Sequence, residues 1–191
     1  MDEIKKTDKE EAGGFATTCF DVVSIIAGAV VAVALVFIFL FRTVGVEGSS
    51  MYPTLEDKDR IVLTAYYGEA KQGDIIVSCQ PCGGIVPDVL IKRVIATEGQ
   101  KVDIDFNAGI VYVDGVALDE PYTRTPTNLS YDLTFPVKVD EGCVFVLGDN
   151  RNDSHDSRSS LIGNNGMIDN RYILGKAIVR VFPFDQMGGL E

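Results

Sequence analysis

The chain has 191 residues, which is long enough for one medium-sized domain and a short appendage. It carries 17 Lys and Arg against 28 Asp and Glu, a formal net charge of -11. This balance argues against binding to a polyanion such as nucleic acid, and against a basic patch that docks on anionic lipid.

The first predicted element is a membrane span at Val22–Phe41, a run of apolar and small residues without a charge. About twenty such residues are needed to cross the hydrocarbon core of a bilayer. The alternatives are a cleaved signal peptide and a buried core helix. The apolar region of a signal peptide is shorter and precedes a small-residue cleavage site, whereas this run ends in large residues followed by Arg42.

The flanking charges suggest an orientation for this span. Lys5, Lys6 and Lys9 precede it, and only Arg42 follows closely. By the positive-inside rule this predicts a cytoplasmic tail at residues 1–21 and places residues 42–191 outside the cytoplasm.

Beyond the span the pattern is that of β-strands, with β-branched runs between Gly, Pro and polar clusters. Asp114-Gly115 lies between two apolar runs and predicts a two-residue hairpin turn. We therefore expect a mainly β fold, an antiparallel sheet or barrel-like domain. Residues 101–140 are richer in acids, Pro and Asn and predict a small inserted β subdomain. The predicted strands lie at 60–64, 74–78, 89–96, 109–118, 143–149 and 173–182.

A candidate nucleophile follows the span in "VEGSSMYPTLEDKDRIV", where Ser50 stands beside Ser49. A serine needs a base that takes its proton. The only histidine is His155, and its polar neighbours favour an exposed loop residue without a role over a base or a metal ligand. Residues 51–53, "MYP", are compatible either with a surface at the membrane interface or with core packing.

The cysteines point to no catalytic or metal site. Cys143 lies in an alternating apolar strand and is predicted to be a buried thiol, while Cys19 borders the span. Cys79 and Cys82 form "CQPC", which allows a metal or redox motif, a tight disulfide or two free thiols. A zinc site would need more clustered ligands than the chain offers.

Lys92 is the second candidate base. It lies in "VLIKRVIA", where strand alternation places it on the face of Leu90 and Val94. An ammonium there is costly unless it is paired or neutral, and a desolvated lysine can act as a general base. A lysine that protects an edge strand explains the pattern equally well.

The segment "LGDNRNDSHDSR", residues 147–158, is the third notable motif. It is compatible with a plain hydrophilic turn. The ligand spacing of an EF-hand calcium loop is absent. Its short hydroxyl and carboxylate side chains could instead orient an amine and pair with arginine, as the support of an active site.

Together, "GSSMYPTL", "GDIIV", "IKRVIA" and "GDNRNDSHDSR" resemble the bacterial type I signal peptidases in order and spacing, from the span to about Phe182. By this resemblance Ser50 is the nucleophile and Lys92 the general base. Gly48 stands where some relatives have a serine that helps to hold the oxyanion, which leaves the Ser50 backbone N–H and an unidentified second donor. The supporting residues are Arg93, Asp149, Ser154, Asp156 and Arg158, with Ser154 bonded to the lysine amine and Asp156 paired with Arg158 or a neighbour.

The resemblance implies a membrane-bound, monomeric serine endopeptidase that removes signal peptides from exported preproteins, cleaving after small residues through an acyl-enzyme, without metal or cofactor. Preproteins and membrane lipid would be its partners, and no nucleic acid is expected. Three alternatives remain. They are a self-cleaving repressor-type Ser-Lys protease, which would need a DNA-binding domain, a membrane-anchored binding module and a degenerate homologue.

Overall fold

The computed structural model describes residues 19–35, 41–65, 70–80 and 89–190, with the side chain of Ala65 left out. Residues 19–35 are helical, and the remaining described residues belong to a second compact unit that begins at Phe41. Among the described residues, no helix is both long and apolar enough to be a candidate membrane span. The predicted span is therefore not confirmed. Its residues 36–40, like the tail at 1–18, lie outside the described part, and Phe41 opens a strand.

The second unit contains a large sheet in which every pairing is antiparallel, as the fold class predicted. The strand order is β1-β2-β11-β3-β4-β9-β10, and β12 pairs with β11. The path is open, with β1 and β10 at its two ends. Its strands are β1 (Phe41–Gly45), β2 (Arg60–Ala65), β3 (Ile75–Cys79), β4 (Val89–Thr97), β9 (Cys143–Leu147), β10 (Ile168–Asp169), β11 (Ile173–Phe182) and β12 (Gly188–Gly189). Short 3-10 turns lie at Asn170–Tyr172 and Phe184–Gln186.

A second, four-stranded sheet of order β7-β6-β5-β8 is formed inside residues 101–140. The predicted hairpin is confirmed, because Asp114 and Gly115 both have positive φ, 52° and 80°, as a two-residue turn of this kind requires. Apolar side chains of this sheet share a core with Phe145 and Leu147 of β9. Its strands are β5 (Lys101–Asp105), β6 (Ile110–Val113), β7 (Val116–Ala117) and β8 (Val137–Lys138).

Strand β4 lies inside the large sheet. It pairs with β3 from Val89 to Arg93 and with β9 from Arg93 to Thr97. Lys92 itself is buried, so the interpretation of Lys92 as a charged lysine that protects an exposed strand edge is wrong. Because the pairing with β9 covers only the second half of β4, the first half has one edge that β9 does not cover.

Candidate active site

The turn after β1 carries Ser50 and is anchored by two apolar side chains. Met51 and Leu55 are buried in one core cluster, and the Leu55 N–H donates to the Met51 carbonyl oxygen at 3.0 Å. Tyr52 and Pro53 are exposed. Met51 thus packs in the core, as one interpretation of "MYP" predicted, whereas Tyr52 and Pro53 lie at the surface. Ser50 itself is half-buried and directly precedes the buried Met51.

The loop after β9 holds this turn in place. The Asn150 N–H donates to the Ser50 carbonyl oxygen at 3.0 Å, and Asn150 Nδ2 donates to the Ser49 carbonyl oxygen at 3.1 Å. The Ser49 hydroxyl donates to Asp153 Oδ2 at 2.6 Å. Three hydrogen bonds thus join segments that are about a hundred residues apart in the chain.

Gly148 allows the two segments to approach each other. A Cβ atom at this position would lie 2.5 Å from the Ser50 carbonyl oxygen and 2.2 Å from Ser154 Oγ. Real Cβ atoms do not approach other atoms so closely, so only glycine fits here without a shift of the surrounding atoms.

Lys92 Nζ and Ser50 Oγ are hydrogen-bonded at a distance of 2.7 Å, and Lys92 Nζ also donates to the Ile91 carbonyl oxygen at 3.0 Å. The lysine is buried beside Leu90 and Val94. Burial lowers the pKa of Lys92 from 10.5 to about 8, although Asp156 and Asp149 partly oppose this shift. An amine with a pKa of about 8 is neutral in an appreciable fraction of molecules near neutral pH, and the neutral form can accept a proton from the serine.

Two buried ion pairs flank this lysine. Arg93 Nε and Nη2 donate to the two carboxylate oxygens of Asp149 at 2.9 and 2.8 Å. Arg158 Nε and Nη2 donate to the two oxygens of Asp156, both at 2.8 Å. The predicted pairing of Asp156 with Arg158 is confirmed. Both pairs are bidentate, which satisfies the buried charges and fixes the loop that carries the two aspartates.

The expected hydrogen bond between Ser154 and the lysine amine is absent. Ser154 Oγ is one of two buried side-chain N or O atoms that lack a hydrogen-bond partner in the described part of the chain. The reason is local, because the Ser154 side chain packs against Gly148 while Lys92 Nζ bonds to Ser50 and Ile91. The expectation carried over from the resemblance is therefore wrong for this arrangement of the loop.

The backbone N–H of Ser50 itself is a free donor among the residues that the structure describes. Gly48, at a φ of +87°, donates its N–H to Asp57 Oδ1 at 2.9 Å, and as a glycine it has no side-chain donor. Within the described residues, the Ser50 N–H donates no hydrogen bond. The position of this N–H therefore fits a backbone donor to an oxyanion, while no second donor is identified.

A cleft of about 710 Å³ opens beside Ser50 and Lys92. Residues 45–51 and residues 89–92 line two of its sides. Tyr131 and residues 152–155 line the third side. His155 is exposed there, and its ring lies 5.2 Å from the ring of Tyr131. The cleft can admit an extended peptide along the uncovered half of β4.

Neither Cys79 nor Cys143 lines this cleft. Cys143 is buried, as predicted, and Cys19 and Cys79 are exposed free thiols. Cys82 lies outside the described residues, so the state of the "CQPC" pair stays a prediction. Across the described ranges, no group of three or more His, Cys, Asp or Glu side chains is arranged to hold a metal ion.

Sequence reasoning missed a second layer of charged residues behind the ion pairs. Arg151 is fully buried and donates through Nη1 and Nη2 to Glu120, both at 2.7 Å. Tyr122 lies next to both arginines, Arg93 and Arg151. Arg151 belongs to the quoted motif "GDNRNDSHDSR" and could have been singled out, but no local pattern marks Glu120 or Tyr122.

Comparison with known proteins agrees with this geometry. Residues 19–182 match the family described as signal peptidase, peptidase S26. Signal peptidase I of Bacillus licheniformis is 35% identical over 98% of this chain and 98% of its own length. A probable signal peptidase I of Synechocystis is 41% identical over 83% of this chain and 82% of its own length.

A crystal structure of a signal peptidase I from Enterococcus faecalis is 27% identical and covers 58% of this chain and 98% of its own, with a TM-score of 0.43. The matches in sequence extend over most of the chain and include both segments that meet at the cleft. The chain therefore belongs to the signal peptidase family, peptidase S26, and is a serine peptidase of that family.

Proposed function

We propose that this chain removes N-terminal signal peptides from exported preproteins, with Ser50 as the nucleophile and Lys92 as the general base. The observation that carries the proposal is the 2.7 Å contact between Ser50 Oγ and the buried amine of Lys92. A serine becomes nucleophilic when a neighbouring base accepts its proton, and a desolvated lysine is such a base.

The reaction proceeds in two halves. Neutral Lys92 accepts the proton of Ser50 while Oγ bonds to the scissile carbonyl carbon, and the oxyanion accepts a hydrogen bond from the Ser50 N–H. Protonated Lys92 then gives this proton to the leaving amine as the C–N bond breaks, which leaves an acyl ester on Ser50. In the second half, Lys92 accepts a proton from a water that attacks the ester, and returns it to Ser50 Oγ.

The cleft supports an extended substrate. The first half of β4 offers backbone groups on the side that β9 does not cover, and residues 45–49 face the same cleft. A peptide that lies between these segments can pair with them as an additional strand, which is a common mode of peptide recognition. Shallow contacts near Ser50 would select the small side chains before the cleavage point.

The apolar run that predicts a span supports a membrane-bound enzyme. The described helix at residues 19–35 covers most of this run, and its apolar side chains are exposed. In the proposed arrangement the N-terminus is cytoplasmic, the run anchors the chain in the plasma membrane, and the catalytic region lies outside the cytoplasm as a monomer. Ser50 follows Phe41 by nine residues, so the nucleophile would stay near the bilayer that holds the substrate's apolar segment.

The test is incubation of the purified full chain, in detergent, with a preprotein, followed by N-terminal sequencing of the product. Cleavage after a small residue at the end of the signal peptide is expected, and Ser50→Ala should abolish it. Ser130→Ala changes an exposed serine outside the cleft and should cleave as the wild type does.

A serine-directed acylating inhibitor separates this proposal from a binding module. The inhibitor should label the wild type and the Ser130→Ala variant, but not Ser50→Ala. Equal labelling of all three proteins, or an intact preprotein after incubation, would contradict the proposed function.

A further inference from the structure

Tyr122 lies in the segment between β7 and β8, outside all of the motifs that point to the active site. Its ring is half-buried and contacts two guanidinium groups. The Cζ atom of Arg93 lies 4.0 Å from the ring centroid, and the Cζ atom of Arg151 lies 6.0 Å from it. Both distances fall within the range in which a cation is attracted to the face of an aromatic ring.

The hydroxyl of Tyr122 fixes the orientation of the ring. It donates to Glu120 Oε1 at 3.0 Å, and the same carboxylate accepts two bonds from Arg151. Burial and the neighbouring Glu120 raise the pKa of Tyr122, so the phenol is neutral and remains a donor. The ring is therefore held at its outer end as well as at its face.

The ring of Tyr122 contacts the flat face of the Arg93 guanidinium. A guanidinium donates only in its own plane, and Arg93 donates there to Asp149 and, through Nη1 at 2.9 Å, to the Gly73 carbonyl oxygen. Tyr122 lies over the flat face of the group and limits the motion of Arg93 out of the plane of its bonds with Asp149.

The ion pair of Arg93 and Asp149 is connected to both residues of the proposed dyad. Arg93 directly follows Lys92 in β4, and Asp149 accepts a hydrogen bond at 2.5 Å from Thr54, four residues after Ser50. The charged groups around Lys92 are Asp149 and Asp156 with their partners Arg93 and Arg158, while β3 contributes the apolar Ile76 opposite Lys92. Movement of Arg93 away from Asp149 would expose Lys92 to a less compensated negative charge.

We propose that Tyr122 is a positioning residue of the peptidase, which holds Arg93 on Asp149 through its ring face and so favours the neutral form of Lys92 and its alignment with Ser50. The inference rests on the proposed function of the dyad. It assigns a role in the reaction to the inserted segment between β7 and β8, which supplies no group to the cleft at Ser50 other than Tyr131.

The first experiment compares three variants by their steady-state kinetics across pH. Tyr122→Met keeps an apolar side chain of similar length but removes the ring, and Tyr122→Phe keeps the ring. Tyr112→Met is the matched control, because Tyr112 is a half-buried tyrosine of β6 in the small sheet, without a ring contact to either arginine among the described residues.

Tyr122→Met should lower kcat about tenfold with KM unchanged, and should move the acid limb of the kcat profile up by about half a pH unit. Tyr122→Phe and the control should stay within about twofold of the wild type. A role in packing alone would lower the amount of folded enzyme without moving the acid limb. Wild-type kcat and acid limb in a folded Tyr122→Met protein would overturn the proposal.

A second experiment remains informative if Tyr122→Met does not fold. Phenylalanines with increasing numbers of ring fluorines, incorporated at position 122, keep the shape of the ring and progressively remove the negative charge of its face. The pKa of Lys92, followed by NMR of its labelled amine without any substrate, should rise stepwise along this series. A constant pKa would overturn the proposal, whereas a wild type that fails to cleave preproteins would overturn the proposed function instead.

Discussion

Thr54 Oγ1 donates a hydrogen bond to Asp149 Oδ2 at 2.5 Å, and this contact joins the turn that carries Ser50 to the ion pair beside Lys92. The two residues are 95 positions apart in the chain. The contact helps to bring Ser50 and Lys92 together from two separate segments, because the carboxylate that binds Arg93 also holds the serine turn.

The rate of cleavage should depend on the protonation of Lys92. Only the neutral amine accepts a proton, and the pKa of Lys92 is lowered by burial to about 8. The value of kcat/KM should therefore rise with pH to a plateau, with an apparent pKa near 8, and fall about tenfold for each pH unit below it. A pH profile measured from pH 6 to 10 checks this, and a flat profile would rule out Lys92 as the base.

Replacement of Lys92 by methionine should abolish cleavage and stabilise the fold. The lysine binds its proton more weakly in the folded state, with a pKa of about 8 against 10.5, so protonation favours the unfolded chain. Lys92→Met removes this penalty, which corresponds to about 3 kcal/mol below pH 8. The stability gain should shrink as the pH rises from 8 to 10.5.

Urea unfolding of both proteins at pH 7 and pH 10 measures this difference. A variant that is less stable than the wild type at pH 7 would show that the ammonium is well compensated in the folded protein. The sign of the difference in unfolding free energy, rather than its size, tests the prediction.

Gly148→Ala should damage both stability and activity. The added methyl group would meet the Ser50 carbonyl oxygen and Ser154 Oγ, and the backbone must shift to admit it. Overpacking of this kind typically costs about 1–3 kcal/mol, and the shift would also misalign Ser50 with Lys92. We expect a lower unfolding midpoint together with a loss of kcat.

Gly188→Ala provides the matched control, because no heavy atom lies within 4 Å of the added Cβ and the residue has no positive φ. Equal effects of the two substitutions would mean that the close approach at Gly148 is not a constraint.

Asp149→Asn should destabilise the protein strongly. It removes the negative charge that the buried guanidinium of Arg93 binds through two hydrogen bonds, and breaking a buried ion pair in this way costs about 3–5 kcal/mol. Thermal unfolding measures the loss. Asp169→Asn breaks the exposed pair with Arg171 and should leave the unfolding temperature nearly unchanged.

Much of the fold and of the site follows from local patterns. The β-branched runs predict the strands, Asp114-Gly115 predicts the hairpin turn, and the alternation of "VLIKRVIA" places Lys92 among apolar neighbours. These features depend on residues close together in the chain, where strand periodicity and turn conformation are decided. The resemblance of the motifs to the type I signal peptidases identified Ser50 as the candidate nucleophile and residues 147–158 as the supporting loop.

The sequence by itself determined strands β2, β3, β4, β9 and β11, the β6–β7 hairpin, that a lysine lies on an apolar face of β4, and the family to which the chain belongs. Only the tertiary structure decided that the Lys92 amine reaches Ser50, that Arg93 pairs with Asp149, that Ser154 does not bond to the lysine, and that Tyr122 stacks on Arg93. Each of these contacts joins side chains from different segments, and their geometry depends on strand order, on a β4 edge left uncovered by β9, and on the close approach at Gly148. Local periodicity carries no information about such distances, because it describes one segment at a time.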